Sequence, residues 1–552
     1  MEPLSASCLN LAIQEDAANE KILNDKLTEM IVSSKSLSRY EGKSFKTILP
    51  QVIATFISAG YHIVVGMALS YSAILIPALN GNITEDGNDE ELYATKTECS
   101  WIASVVVLVV PLGAVTIGMV MDNIGRLNAV KLAIIPTILG WGLIAAAQNV
   151  TMIIVGRIIV GLATAWGSIP ATVYITEIAR PDVRGTLVSA APSLSSIGMV
   201  VCFLMGWFLH WRTVAWVAIL YASVPIMLLF CIPESPAWLV SRGKIQQAAD
   251  SLRWFNKYQP QPENRGESLA ELQLSLLQRE HQTKLEEQAW KGEFGAKAKM
   301  MEFLKPTGYK PLLVLFGLFF FQQFSGIYIT LFYSVTFFQA VGSDFNPYLA
   351  STFIAVIRVI MSCINTYMLK YFRRRPLVIV SGFGMAICML LSGLFTHLVK
   401  EGSFTHTWVP VFFLLLYVVT SMIGLLPIPW TMTAELFPIE IRGAANSATY
   451  SLAYVTMSVS IQSFWTLESW FQGIAGLQWF FAAVCILSSV YTYVFLPETH
   501  GKKLSDITEY FVHNTIFLGS TKQEQSTGTV GRKDIHLTNG QSQKLIKKSL
   551  SC

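Results

Sequence analysis

Charge is the scarcest thing in this chain. Only 14% of its 552 residues are Asp, Glu, Lys or Arg, against roughly 25% in an ordinary soluble domain. The few charges are gathered between apolar stretches, which leaves runs long enough to cross a bilayer core of roughly 30 Å. A net charge of +4 with scattered basic residues offers no basic face, so a nucleic-acid partner is excluded. Eight cysteines show neither a CxxC pair nor a Cys/His ligand spacing, which argues against a zinc site and a disulfide framework. A phosphate-cradling glycine loop and a nucleophile–base arrangement are missing too. No catalytic residue, metal or cofactor is expected, and the chain does not read as an enzyme. Its first 45 residues hold no apolar core of a cleavable leader, so the first spanning helix is expected to direct insertion.

What is present is a doubled pattern. Glu177, six residues, then Arg184-Gly185 returns about half a chain later as Glu435, six residues, then Arg442-Gly443. Pro233-Glu234-Ser235 likewise returns as Pro497-Glu498-Thr499. Each copy closes a long apolar segment, as expected of two like halves embedded in lipid. Apolar runs of roughly 20 residues predict spans near 50–79, 101–121, 128–147, 151–176, 186–209 and 213–232, then 311–340, 348–369, 376–397, 408–433, 444–467 and 474–496. The expected fold is an all-α membrane protein: twelve transmembrane helices in two pseudo-symmetric six-helix bundles joined by a helical linker. The expected division is a tail at 1–47, a bundle at 48–232, a linker at 233–308, a second bundle at 309–497 and a tail at 498–552. Within the linker, Pro236–Leu239, Ile245–Phe255 and Leu269–Leu277 have helical patterning. The tail from about 502 is polar and reads as largely disordered.

Arg126, Lys131, Arg180, Arg184, Arg373, Arg374, Arg375 and Arg442 lie in short loops on one side, while Glu85, Asp86, Asp89, Glu90, Glu91 and Glu98 lie in the first loop on the other. The positive-inside rule then puts both termini and the linker in the cytosol. Asn82-Ile83-Thr84 falls outside and is an expected glycan acceptor, whereas Asn149-Val150-Thr151 hugs the membrane. The plasma membrane is the expected location, with lipid as surroundings and the protein acting as a monomer.

The motifs form an ordered set. Asp122-Asn123-Ile124-Gly125-Arg126 follows the second span, Gly156-Arg157 and Gly161 open the fourth, and Glu177…Arg184-Gly185 joins the fourth and fifth. Pro233-Glu234-Ser235-Pro236-Ala237-Trp238-Leu239 follows the sixth and Gln322-Gln323-Phe324-Ser325-Gly326-Ile327 lies in the seventh. Pro427-Ile428-Pro429-Trp430 sits in the tenth, and Pro497-Glu498-Thr499-His500-Gly501 closes the twelfth. In this order the chain resembles the sugar porter family of the major facilitator superfamily over nearly all of its length outside the tails. Arg184-Gly185-Thr186-Leu187 with Pro192…Ile197-Gly198 is most similar to insect facilitated trehalose transporters.

A Glu and an Arg at the ends of neighbouring helices can pair when a carrier faces outward and part when it faces inward, which makes a latch on a bistable element. Asp122, Arg126, Glu177, Arg184, Glu234, Arg374, Arg375, Glu435, Arg442 and Glu498 are the candidates. The second half departs from the family pattern. Lys370-Tyr371-Phe372-Arg373-Arg374-Arg375 carries neither the acidic residue nor the glycine found at Asp122 and Gly125.

A sugar needs hydrogen-bonding side chains near the midplane and an aromatic face for its C–H surface. Gln322 and Gln323 are expected to supply amides, and Trp430, beside the Pro427/Pro429 break, the aromatic surface. Phe332 and Tyr333 are the expected outer lid. The alternative for the glutamines is hydrogen bonding between helices without a ligand. The family's sugar-contacting polar positions correspond here to Pro192, Tyr328, Arg358, Met422 and Ala453, none of which offers an amide or carboxylate. Arg358 lies mid-span with no acidic residue between Ala350 and Leu369. It either faces substrate or is satisfied by carbonyls or the glutamines. Where proton-coupled members of the family carry an Asp, alignment on Gly66 puts Ala68, so facilitated diffusion is favoured over proton symport, with His62 the only titratable residue nearby.

The reading is therefore a facilitative carrier of a sugar, trehalose or a hexose, working by alternating access. A carrier of another polar or anionic solute on the same fold, and a sugar sensor that moves nothing, stand as alternatives.

Overall fold

The computed structural model describes residues 45–80, 92–259, 268–291, 303–342, 344–438, 441–502 and 504–513. Asn82 and the acidic residues Glu85 to Glu91 lie outside them. Among the described residues every regular element is helical. Of the described residues' helices, ten are long and apolar enough to cross a bilayer: Phe45–Leu79, Lys96–Ile124, Arg126–Ala145, Val150–Ile178, Arg184–Phe208 and Trp211–Cys231 in the first half, then Pro347–Tyr371, Arg374–Lys400, Trp408–Thr433 and Ile474–Phe495 in the second. The expected seventh and eleventh spans are helical but are not among those ten. The seventh is broken into Pro306–Phe324, Ile327–Phe332 and Ser334–Val341. The eleventh, Arg442–Gln462, carries Ser, Thr, Asn and Gln along its length. Each still has an exposed apolar side, with Leu313 and Phe320 on the seventh and Val455 and Val459 on the eleventh, and the breaks and polar residues are tolerated where they turn inward.

Most helices run a few residues past the apolar stretches that predict them. The first begins at Phe45 rather than 50, and the second covers 96–124 rather than 101–121. The charged residues at the span ends are themselves helical. In the linker, Pro236–Ser241, Ile245–Phe255 and Leu269–Lys291 are helices. Trp238, Leu239, Val240 and Ala248 form a small core there against Ile245, Leu274 and Leu277. The start of the polar tail is a helix over Leu504–His513, and the rest of the tail expected to be largely disordered lies outside the described residues. Within the helix Ile507 and Phe511 are buried, and Lys310 donates to the Phe511 carbonyl at 2.9 Å. A few apolar residues at helical spacing suffice to dock a polar segment.

The helices pack tightly where side chains are absent. A Cβ on Gly66 in the first span would stand 1.8 Å from the Ser195 carbonyl oxygen, and one on Gly198 in the fifth 2.0 Å from that of Ile63. The two glycines let the first and fifth spans cross backbone to backbone. The halves meet along two seams, the fifth span against the eighth and the second against the eleventh. Ser193 and Ser362 share a hydrogen bond of 2.6 Å across the first seam.

The ends of the second, fourth and sixth spans converge on one face with the start of the first, where Gln51 accepts from the Arg180 backbone N–H at 3.2 Å. The linker and the C-terminal helix lie there too, so this is the terminal face. On the opposite face the first span packs on Ile327–Phe332 and Ser334–Val341 of the seventh. Ser104 donates to Gln462 Oε1 at 2.6 Å between the halves, and Lys96 stands 4.9 Å from the Trp465 ring centroid. That face is closed. On the terminal face, among the described residues, Phe45–Ala59 and Ile428–Leu436 pack extensively only within their own halves and the adjoining linker and tail helices.

Candidate functional site

Two charge clusters mark the terminal face, one per half. In the first, Arg126 begins a helix at the end of the second span and donates to Glu177 through Nη2 at 2.9 Å and Nε at 3.1 Å. Both side chains are mostly buried, at 14% and 18% exposure, so each loses much of its hydration and needs the other. Asp122, one turn earlier, also reaches Arg126 at 3.2 Å but is 67% exposed, and an ion pair that open to water contributes little. Ser235 donates to Glu177 as well.

Glu234 instead caps the helix that Arg126 starts. It accepts from the Leu127 backbone N–H at 3.0 Å and the Ser235 N–H at 2.9 Å, the expected place for an anion at a helix N-terminus. Burial raises the Glu234 carboxyl above its ordinary value, and backbone N–H groups of Ser235, Leu127, Arg126 and Asn128 oppose that rise. Gly125 makes the approach possible. Its φ is +103°, and a Cβ there would stand 2.6 Å from Glu234 Oε2. The linker is pinned to the same point, because Trp238 Nε1 donates to the Asp122 carbonyl at 2.8 Å and Arg242 donates to Asn123 Oδ1 at 2.8 Å.

The second half repeats the main features of this arrangement, although the Arg374 Nε, unlike that of Arg126, has no hydrogen-bond partner. Arg374 Nη2 donates to Glu435 Oε1 at 3.2 Å, and Thr499 donates to Glu435 Oε2 at 2.5 Å. Glu498 accepts from the backbone N–H groups of Arg374 and Arg375 at 3.0 and 3.2 Å. The missing acidic residue and glycine do not prevent this geometry. Arg373, in Gly125's place, has φ −68°, so the chain enters this helix by an ordinary extended residue and no left-handed turn is needed. Arg374 meets His500 Nδ1 at 3.3 Å where Arg126 meets Asp122.

Arg184 and Arg442 stand outside both pairs. Each donates to a carbonyl five residues back, Ala179 and Phe437, both at 3.3 Å. The clusters also differ from the sequence expectation in one respect. Both Arg–Glu pairs are formed although the first and tenth spans are not packed together on this face. Each pair joins helices of a single half, so one half can rock against the other without separating them.

Near the midplane the glutamines have different fates. Gln322 Nε2 donates to the carbonyls of Leu425 and Leu426 at 2.9 and 2.7 Å, which the break before Ile428–Leu436 leaves without helical partners. Gln322 thus ties the seventh span to the tenth-span backbone. Gln323 donates to Gln322 Oε1 at 3.3 Å, and its own Oε1 is buried without a partner. The break in the seventh span at Gly326, φ +91°, is satisfied by Tyr417, whose hydroxyl donates to the Ser325 carbonyl at 2.8 Å.

Trp430 stands at the centre of an aromatic group. Its ring lies 4.9 Å from Phe319, 5.4 Å from Tyr450 and 5.6 Å from Tyr454, and the Tyr328 side chain reaches it as well. Tyr328 is also the titratable side chain that interacts with Arg358. The Arg358 Nε is buried without a hydrogen-bond partner. Phe332 and Tyr333 are fully buried at the closed face. Tyr333 stacks on Phe464 at 4.3 Å, and its hydroxyl donates to the Ile461 carbonyl at 3.4 Å.

Tyr450 and Tyr454 escaped the sequence reading, although they are one helical turn apart beside Ala453. Ser235, Thr499, Ser104 and Gln462 were likewise invisible as partners. A further cavity of about 470 Å³ opens on the terminal face between Glu177, Arg180 and Arg184 on one side and Phe255, Asn256 and Gln273 of the linker on the other. It lies away from the midplane group. Among the described residues no His/Cys/Asp/Glu group has the makings of a metal site.

The family model described as "Sugar (and other) transporter" matches residues 50–511. Facilitated trehalose transporter Tret1 of Culex quinquefasciatus is 31% identical over 469 residues, covering 84% of this chain and 86% of that protein. Tret1 of Drosophila virilis is 32% identical over 467 residues, covering 83% of this chain and 48% of that one. The chain spans about half the length of that second relative. Among solved structures, an inward-open conformation of the xylose transporter XylE from E. coli superposes with a TM-score of 0.65 at 21% identity, covering 82% of this chain and 98% of that one. The proton:xylose symporter XylE bound to 6-bromo-6-deoxy-D-glucose gives 0.62 at 22% identity, covering 84% and 99%.

Proposed function

The chain belongs to the sugar transporter family, and from that premise we propose that it carries a sugar across the membrane by facilitated diffusion. The substrate class is trehalose, the solute in the names of its insect relatives, or a hexose. The observation that carries the reading is the asymmetry between the faces. The first and seventh spans close one end of the interior, while the facing stretches on the terminal face keep to their own halves. A solute held at Trp430 then has one exit, and rocking about the two seams exchanges it for the other. The two charge clusters keep each half rigid during that motion. The terminal face is the cytosolic one and the plasma membrane the site of action, with Asn82 an outer glycan acceptor and the five-part division of the chain as given above.

Residues of the first span support uniport rather than proton symport. Position 68 is alanine, and its carbonyl oxygen accepts from Arg157 at 2.7 Å. His62 is buried, with Nδ1 3.2 Å from the Ala59 carbonyl. No carboxylate stands there to take up and release a proton. The test is uptake of labelled trehalose and glucose into oocytes expressing the full chain, with and without a proton gradient. Saturable uptake that ignores the gradient is expected. Absence of saturable uptake for every mono- and disaccharide tried would end the proposal, and uptake that collapses with the gradient would end its uniport part.

A further inference from the structure

We propose that the preferred solute is a sugar acid, a sugar-sized polyol bearing one carboxylate, and that Arg358 is the residue that selects it. The proposal rests on the transport reading above and replaces its neutral sugar with an acidic one of similar size.

The eighth span, Pro347–Tyr371, has two distinct faces. Ser351, Ile354, Ala355, Met361 and Ser362 are buried, whereas Phe353, Ile360, Ile364 and Tyr367 are exposed. Arg358 falls in the buried stripe, at three- and four-residue steps from Ile354, Ala355, Met361 and Ser362. Ser362, one turn further on, touches Ser193 of the other half. Arg358 therefore faces the seam where the halves part, not lipid.

The chain contains an internal standard for a satisfied buried cation. Arg157 is fully buried and donates to the Ile102 carbonyl, the Ala68 carbonyl and the Ser72 hydroxyl at 3.1, 2.7 and 3.3 Å. Arg358 has nothing comparable: its Nε is orphaned, and Tyr328 is the titratable group interacting with it. A charge inside a membrane span is costly to insert and is kept where it pairs or meets a solute. A planar guanidinium matches a carboxylate through two parallel hydrogen bonds. Tyr328, which interacts with Arg358, also reaches Trp430, whose ring lies 5.6 Å from that of Tyr454, so a hydroxyl and aromatic faces for C–H groups adjoin through Tyr328. One cation balances one negative charge. A phosphate dianion would leave a charge uncompensated in a site with little water, so a carboxylate fits better.

The experiment uses the full chain in proteoliposomes, with labelled glucuronate, glucose, trehalose and glucose 6-phosphate. Saturable glucuronate uptake is expected, faster when the vesicle interior is made positive because a net negative charge moves. Arg358→Gln should cut it about tenfold or more, the scale of one lost charged contact, and Arg358→Lys should restore part of it. Competition by unlabelled glucuronate against the wild-type protein gives a reading that needs no variant to fold. Uptake of glucose or trehalose without uptake of, or competition by, glucuronate overturns the proposal and leaves the sugar-carrier reading standing. Full glucuronate uptake by Arg358→Gln, or carriage of glucose 6-phosphate alone, also overturns it. If no sugar of either kind is carried, both readings fall together.

Discussion

Arg157 in the fourth span donates through Nη1 to the carbonyl oxygen of Ala68 in the first, 2.7 Å away. This cation holds three spans together, since Ile102 belongs to the second and Ser72 to the first. Arg157→Ala would leave two carbonyls unpaired in a dry interior and remove the largest charged side chain there. The expected loss is about 1–3 kcal/mol for each carbonyl left unsatisfied, read as a lower thermal midpoint in detergent. A thermal midpoint within error of wild type would refute this account.

The same relationship predicts indifference to protons. With the methyl of Ala68 where a carboxylate would act, uptake should vary by no more than about twofold between about pH 5.5 and 7.5, the range in which a histidine or a raised carboxylate titrates. A protonophore should leave the initial rate unchanged. A steep rise in uptake towards acid would show a coupled proton.

Glu234 supplies a pH dependence of stability rather than of transport. Its folded-state carboxyl is raised by burial, so between the ordinary carboxyl value and the raised one the folded chain binds more protons than the unfolded one. Stability contributed by this group is then greatest at the acid end and falls as pH rises through the raised value. Glu234→Gln should flatten that part of the stability–pH curve. A slope identical to wild type would assign the dependence to another group.

The duplicated clusters predict matched effects. Glu177→Gln and Glu435→Gln each leave an arginine, 14% and 13% exposed respectively, without its charged partner. Each is expected to cost about 1–3 kcal/mol, and a double-mutant cycle of Arg374 with Glu435 should show coupling of similar size. Coupling near zero would make the second pair incidental.

Gln322 and Gln323 should separate cleanly. Gln322→Leu strips donors from the Leu425 and Leu426 carbonyls, so stability should fall by about 1–3 kcal/mol. Gln323→Leu removes an acceptor that the protein itself does not use, together with one 3.3 Å donor to Gln322, so KM should rise while the thermal midpoint falls less than in Gln322→Leu. The reverse pattern would exchange their roles.

How far the sequence reaches is clearest at the second charge cluster. The repeat of Glu435, Arg442 and Glu498 marks that an acidic and basic set stands there, yet Lys370 and Arg373 break the pattern that would identify its geometry. Only the folded chain brings the Arg374 and Arg375 backbone N–H groups onto Glu498, because an N–H donor carries no residue signature. The glutamine pair makes the same point in reverse. Both look available along the sequence, and one is consumed by a backbone break roughly a hundred positions away.

Apolar runs, the doubled motifs and the scarcity of charge determined the class, the two halves and nearly every helix, because burying hydrocarbon in lipid depends on composition and spacing, which are local properties. The partners of each charge, the closed and open faces, the aromatic group of Tyr450 and Tyr454 about Trp430, and the unpartnered Nε of Arg358 in contrast to a satisfied Arg157 were decided only in three dimensions. Hydrogen bonds and ion pairs act over a few ångströms between residues distant in sequence, so which of them form depends on how the helices pack.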